Sequence, residues 1–129
     1  MLVNLLALLA APADPTGVWK TPRGATIRVE RCGAALCGRI ASLPSFAGNP
    51  RGLDLNNKDK AKRGQALVGL AMLTGFAGGP RQWTGGSVYN PEDGRTYSGR
   101  IELVDAGTLK LTGCALRIFC RSQVWKRVG

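Results

Sequence analysis

Gly85-Gly86-Ser87-Val88-Tyr89-Asn90-Pro91-Glu92-Asp93-Gly94-Arg95-Thr96-Tyr97-Ser98-Gly99-Arg100-Ile101-Glu102-Leu103 reads as a β-hairpin, and its reading decides the fold. Within Asn90-Pro91-Glu92-Asp93-Gly94, proline fixes one backbone angle and the final glycine accepts a positive one, the chemistry of a type I turn closing into a bulge. Asn90, Pro91, Asp93 and Gly94 are therefore structural residues. Behind the turn, Tyr97, Gly99, Ile101 and Leu103 share one face, while Thr96, Ser98, Arg100 and Glu102 share the other. This period of two fits a strand with one buried face and would be scrambled in a helix. Val88 and Tyr89 give the opposite arm the branched and aromatic character of a half-buried strand.

Working outward, the same pattern recurs. Gly17 to Thr21, Ala25 to Cys32, Leu36 to Leu43, Leu67 to Leu73, Gln82 to Asn90, Arg95 to Val104, Thr108 to Gly113 and Ile118 to Val128 are eight candidate strands. Gly75 to Pro80 reads as a turn region between two of them. Short loops join most of the strands, and eight antiparallel neighbours in a meander close into a small barrel without open edges. The expected architecture is all-β: an eight-stranded antiparallel up-and-down barrel over residues 14–129, with one long polar loop and at most a short helical turn. That loop spans 45–65, and a connection of such length is usually functional or mobile. Asn57 is placed to cap a helical turn over Lys58 to Arg63. Asp54, Asn56 and Asp59 invite comparison with a calcium loop. Lys58 stands where an oxygen ligand belongs and no later glutamate completes the set, so side-chain-to-backbone turns are the better reading.

Composition narrows function mostly by exclusion. The chain of 129 residues has no histidine, which removes the usual general base and the commonest transition-metal ligand. With 18 basic and 8 acidic side chains its net charge is +10, which favours anionic surfaces. The basic residues are dispersed apart from Lys58 to Arg63, the pattern of a solvated exterior, so nucleic acid ranks below a small molecule or an anionic envelope component as partner. Residues 1–13 form a short apolar stretch ending Ala11-Pro12-Ala13, which reads as a truncated export signal and is too short to span a bilayer.

Cys32 and Cys37, like Cys114 and Cys120, bracket short connections between strand-like runs. Each pair is a candidate disulfide, with reduced buried thiols as the alternative, and the spacings suit no zinc site. No metal and no cofactor are expected. Cysteine usage and the apolar opening together point to a periplasmic or secreted protein, and a monomer is expected.

The ordered set Gly17-Val18-Trp19, Val29-Glu30-Arg31-Cys32, Leu36-Cys37-Gly38-Arg39-Ile40, Asp54 with Asn57, Trp83, Tyr89 to Gly94, Tyr97 and Cys120-Arg121-Ser122-Gln123 ahead of Trp125 and Arg127 resembles the family catalogued as domain of unknown function 2147. Its members are small exported bacterial proteins with a calycin-like, or lipocalin-like, barrel. The resemblance implies that Gly17 and Trp19 open the first strand and that Arg127 of the last strand lies over the Trp19 indole. It implies no activity.

Carboxylates are few, and a hydrolase pairing Asp54 with Glu92 or Asp93 is the third-ranked function. Binding is the first. Alternation from Trp125 places Gln123 and Arg121 on its face, and a guanidinium and an amide inside a small barrel need partners, water or a ligand. Arg121, Gln123 and Trp125, with Trp19, Trp83, Tyr89 and Tyr97 as walls, are the candidate site for a small anionic or amphiphilic molecule. A filled barrel that presents loop 45–65 to a protein is the alternative.

Overall fold

Eight strands close on themselves in the computed structural model, which describes residues 14–129. They are β1 (Gly17–Lys20), β2 (Thr26–Cys32), β3 (Ala35–Ser42), β4 (Ala71–Gly78), β5 (Gln82–Asn90), β6 (Arg95–Asp105), β7 (Thr108–Ala115) and β8 (Phe119–Arg127). Each pairs antiparallel with its sequence neighbours, and β8 returns to β1 through Trp19 opposite Arg127. The up-and-down barrel expected from the hairpin pattern is what forms. The apolar stretch 1–13, on which the export signal was placed, lies outside the described residues.

Alternation decides what fills the barrel. Tyr97, Gly99, Ile101 and Leu103 of β6 lie opposite Val88, Gly86 and Trp83 on one side, and Gly113, Leu111 and Leu109 on the other. Ile101, Leu103, Leu109, Leu111, Trp83 and Val88 are all buried. Trp19, Trp125 and Phe76 are fully enclosed and are the largest members of this core. The Phe76 ring lies where side chains at Gly86 and Gly99 would project: a Cβ at Gly86 would come within 2.4 Å of the ring, and one at Gly99 within 3.2 Å.

Two local expectations are corrected. The fourth strand is Ala71–Gly78, not Leu67 to Leu73, and Gly75, assigned to a turn, lies within it. Leu36 pairs with Phe76 and Gly38 with Leu73, so β4 carries one extra residue over that interval. Gly75, at φ 75°, absorbs the bulge and lets both Leu73 and Phe76 point inward. A bulge breaks the period of two, which is why the strand was misplaced. The helical turn is a single 3-10 turn, Lys60–Lys62, capped by Asp59 rather than Asn57: the Asp59 carboxylate accepts from the Ala61 N–H. Asn57 instead accepts from the Asp59 N–H, one step earlier in the same chain of turns.

The two ends of the barrel differ. At one end, Arg127 spans the closure: its guanidinium carbon lies 4.4 Å from the Trp19 ring centroid, and its nitrogens donate to the carbonyls of Ala106, Thr16 and Asp14. The Trp19 indole donates to the Pro15 carbonyl. This end is sealed. The other end gathers the β1–β2, β5–β6 and β7–β8 turns and the long β3–β4 connection.

Candidate functional site

The open end contains a cavity of about 560 Å³, within the size range of small-molecule sites. Ile27 of β2 and Ile40 of β3 reach it from the barrel wall, and Leu43, Phe46, Leu67 and Met72 enclose it from the β3–β4 connection and the start of β4. Gln123 of β8 faces it, with Thr21, Arg23 and Glu92 at its rim. The cross-strand row from Gly86 through Gly99 and Gly113 to Arg121 lies outside this lining; Phe76 covers its first two glycines and Tyr97 lies against the third.

Gln123 is held in one orientation. The Trp125 indole N–H, which only donates, lies 3.0 Å from Gln123 Oε1. The amide oxygen is thereby occupied, which leaves the amide N–H groups as donors available at the cavity's exposed mouth. Arg121 is two residues along the same strand, on the same inner phase, and exposed. Among the described residues no hydrogen bond or ion pair engages its guanidinium. The rim charges near the β1–β2 turn are spent on each other: Arg23 pairs with Glu92. Donors from Gln123, with the positive charge of Arg121 beyond, favour a ligand whose polar head accepts hydrogen bonds.

The other predicted wall residues are elsewhere. Trp19, Trp83 and Trp125 are buried in the core and none lines the cavity. Tyr97 is half-buried at the top of β6, its hydroxyl donating to Asp93, and this hydrogen bond raises the phenol pKa. Tyr89 is outside the barrel altogether, because Val88 takes the inward position beside it. It lines a second concavity of about 790 Å³ between the connection and the outer faces of β4 to β6, with Lys58, Lys62 and Arg95. That groove is larger but flanks the sheet's wet face. The cavity at the open end is bounded by the barrel wall and combines the apolar side chains Ile27, Ile40, Leu43, Leu67 and Met72 with polar groups of Thr21, Asn49, Asn56 and Gln123, the mixed lining of a ligand site.

Sequence reasoning missed how the long connection is anchored. Asp54 is completely buried, and among the described residues no cation pairs with it; its carboxylate accepts from Tyr89 Oη at 2.6 Å, Asn57 Nδ2 at 2.8 Å and Gln65 Nε2 at 2.9 Å. Burial, and then the hydrogen bond to Asp54, push the Tyr89 phenol well above the ordinary tyrosine range. Asn56 donates to the carbonyls of Pro91 and Glu92. The Asn56 carbonyl rests against Gly94, where a Cβ would approach it to 1.8 Å. The β5–β6 turn is thus a landing platform for the connection. Asp54, considered above as a calcium ligand or a hydrolytic carboxylate, is enclosed by three donors. Glu92 is on Arg23, and Asp93 accepts from Tyr97 and from the Arg95 N–H. Among the described residues no group of three potential metal-ligating side chains converges.

Both cysteine pairs are disulfides, Cys32–Cys37 and Cys114–Cys120, each closing a hairpin turn. No helix among the described residues is long and apolar enough to cross a membrane.

A closed eight-stranded barrel, sealed at one end by an arginine over a tryptophan and open at the other, is lipocalin-like. A solved structure from Helicobacter pylori, of a protein described as belonging to the lipocalin family, superposes with a TM-score of 0.79 at 20% identity, covering 91% of this chain and 84% of its own. The chain itself belongs to the family described as "Uncharacterized protein conserved in bacteria (DUF2147)", whose sequence profile matches residues 17–127. Comparison with curated proteins yields no match.

Proposed function

We propose that this protein is a non-enzymatic carrier of a small amphiphile, taken up in the cavity at the open end of its barrel. The observation that carries this reading is the Gln123–Trp125 pair: an indole occupies the amide oxygen, which leaves the amide donors free beside a cavity that also presents Ile27, Ile40, Leu43, Leu67 and Met72. An aliphatic tail would rest on Ile27, Ile40, Leu43, Leu67 and Met72. A carboxylate or carbonyl head would accept from Gln123, near the charge of Arg121. The two disulfides support a protein working in the periplasm or outside the cell, where such bonds persist.

The test is calorimetric titration of the purified protein with dodecanoate, together with native mass spectrometry of protein recovered from its own cell envelope. Ala25→Trp, which fills the cavity rim, should block binding sterically, and Gln123→Leu, which keeps shape but removes the donors, should weaken it about tenfold, since a hydrogen bond to a charged head is worth on the order of 1.5–3 kcal/mol. Dodecanoate binding to Ala25→Trp with wild-type affinity would place the ligand somewhere else.

A further inference from the structure

Among the described residues the β7–β8 turn is the most exposed apolar feature. Leu116, Ile118 and Phe119 are 82%, 73% and 65% exposed, consecutive but for Arg117, and they project from the open end. The backbone beneath them is unusual. Leu116 and Arg117 have φ of 52° and 64°, and the Ile118 N–H donates to the Ala115 carbonyl. This is the type I′ geometry that Asn-Gly adopts most readily and that a γ-branched residue adopts at a cost. The Cys114–Cys120 disulfide clamps the two arms immediately below. Neither hydrophobic burial nor turn preference accounts for leucine, isoleucine and phenylalanine at this tip. A strained, clamped turn holding three apolar side chains in water points to something that receives them.

We infer that this tip is a docking element for the surface of an anionic lipid bilayer. The shape favours lipid: a narrow convex hairpin has little area to offer a flat protein face but can enter the interface of a bilayer. The charges agree. Arg117 stands between the apolar residues, Arg121 follows on β8, and Arg95 lies at the top of β6. The two carboxylates of the β5–β6 turn are committed, Glu92 to Arg23 and Asp93 to Tyr97. The net charge of +10 adds long-range attraction to anionic headgroups. Arg121 also lies on the inner phase of β8, one inward position from Gln123, so a docked barrel would turn its cavity mouth towards the membrane. Docking does not depend on the cavity's holding a ligand, so the two ideas fail separately.

The experiment is flotation of the full chain with phosphatidylcholine vesicles, with and without one-quarter phosphatidylglycerol. Wild type should float with the anionic vesicles, less so at high salt, and weakly with neutral ones. Arg117→Ala should weaken binding about fivefold, the worth of one cation at such a surface. The decisive variant is Leu116→Asn with Arg117→Gly and Ile118→Ser. It supplies the preferred turn pair, so its Tm should equal or exceed wild type while flotation is lost and dodecanoate binding persists. Wild-type flotation by that variant, or no flotation of the wild type, would overturn the inference. So would concentration-dependent self-association of the wild type that the variant abolishes, since the tip would then serve a second copy of the chain.

Discussion

Replacing Asp54 by alanine should be the most damaging single change to the open end without touching the barrel core. Three donors converge on this carboxylate, at 2.6, 2.8 and 2.9 Å. Hydrogen bonds to an ionised group are worth about 1.5–3 kcal/mol each, so their gross loss is on the order of 4–9 kcal/mol. Two effects offset part of this. Alanine removes the cost of holding a desolvated charge, and Asn57, Gln65 and Tyr89 are half-buried, so water can reach the orphaned donors. A net loss of about 3 kcal/mol remains. With an unfolding entropy of about 0.27 kcal/mol/K for a chain of this length, Tm should fall by about 11 °C. Asp54→Asn should cost about half as much: the Gln65 amide can turn its oxygen to the new NH₂, whereas Asn57 cannot turn without giving up the Asp59 N–H. Calorimetry on both variants measures this directly, and a double-mutant cycle with Tyr89→Phe should give a coupling of about 1–3 kcal/mol. Hydrogen exchange should also accelerate at the amides of Asp54 and Leu67, which donate to Gln65 and Gly52 within the connection. A fall of less than about 4 °C for Asp54→Ala, with unchanged exchange, would refute the latch.

Other perturbations probe different parts of the same argument. The chain has two tyrosines, both with phenol pKa raised above 10.0, so absorbance titration of the folded protein should show neither ionising at the free-tyrosine midpoint, while in urea both do. Because a raised folded pKa is protective below the unfolded value, stability should decline as pH rises past about 10, and Tyr89→Phe should remove much of that slope. Gly94→Ala meets both a positive φ of 69° and the Asn56 carbonyl, so it should destabilise by more than the 1–2 kcal/mol typical of the backbone effect alone, as urea unfolding would reveal. Gly86→Ala should push Phe76 from its seat and cost about 1–3 kcal/mol in the same assay. Removing Cys32–Cys37 by a double serine substitution should cost only about 2 kcal/mol, because the loop that it closes is short.

The framework was legible because it rests on local rules. Proline and a terminal glycine fix the Asn90–Gly94 turn, and strict alternation from Tyr97 to Leu103 fixes which face is buried; both can be read without a partner strand in view. Alternation failed where the chain departs from it. At Gly75 a single extra residue reverses the phase, and an apolar run just upstream, Leu67 to Leu73, looks more strand-like than the segment that pairs. Leu67 is buried, but in the connection rather than on a strand. Apolarity alone cannot separate these two ways of joining one core.

The site was half legible for a related reason. Counting back from Trp125 put Gln123 and Arg121 on the inner phase, since β8 has no bulge along its pairing with β7. The same counting cannot say which inner positions remain empty, because that depends on side chains reaching across from other strands, as Phe76 does over Gly86 and Gly99. Nor can it bring Asp54 to Tyr89, 35 residues away, or show that Gly94, already required by its turn, also leaves room for Asn56. The hairpin thus has two roles. Its inner face fills part of the barrel, and its turn and outer face hold the connection in place as a wall of the cavity. Mobility at the mouth should therefore be governed by Asp54 and Asn56, while the affinity of the proposed carrier for an amphiphile should be governed by Gln123 and the apolar lining.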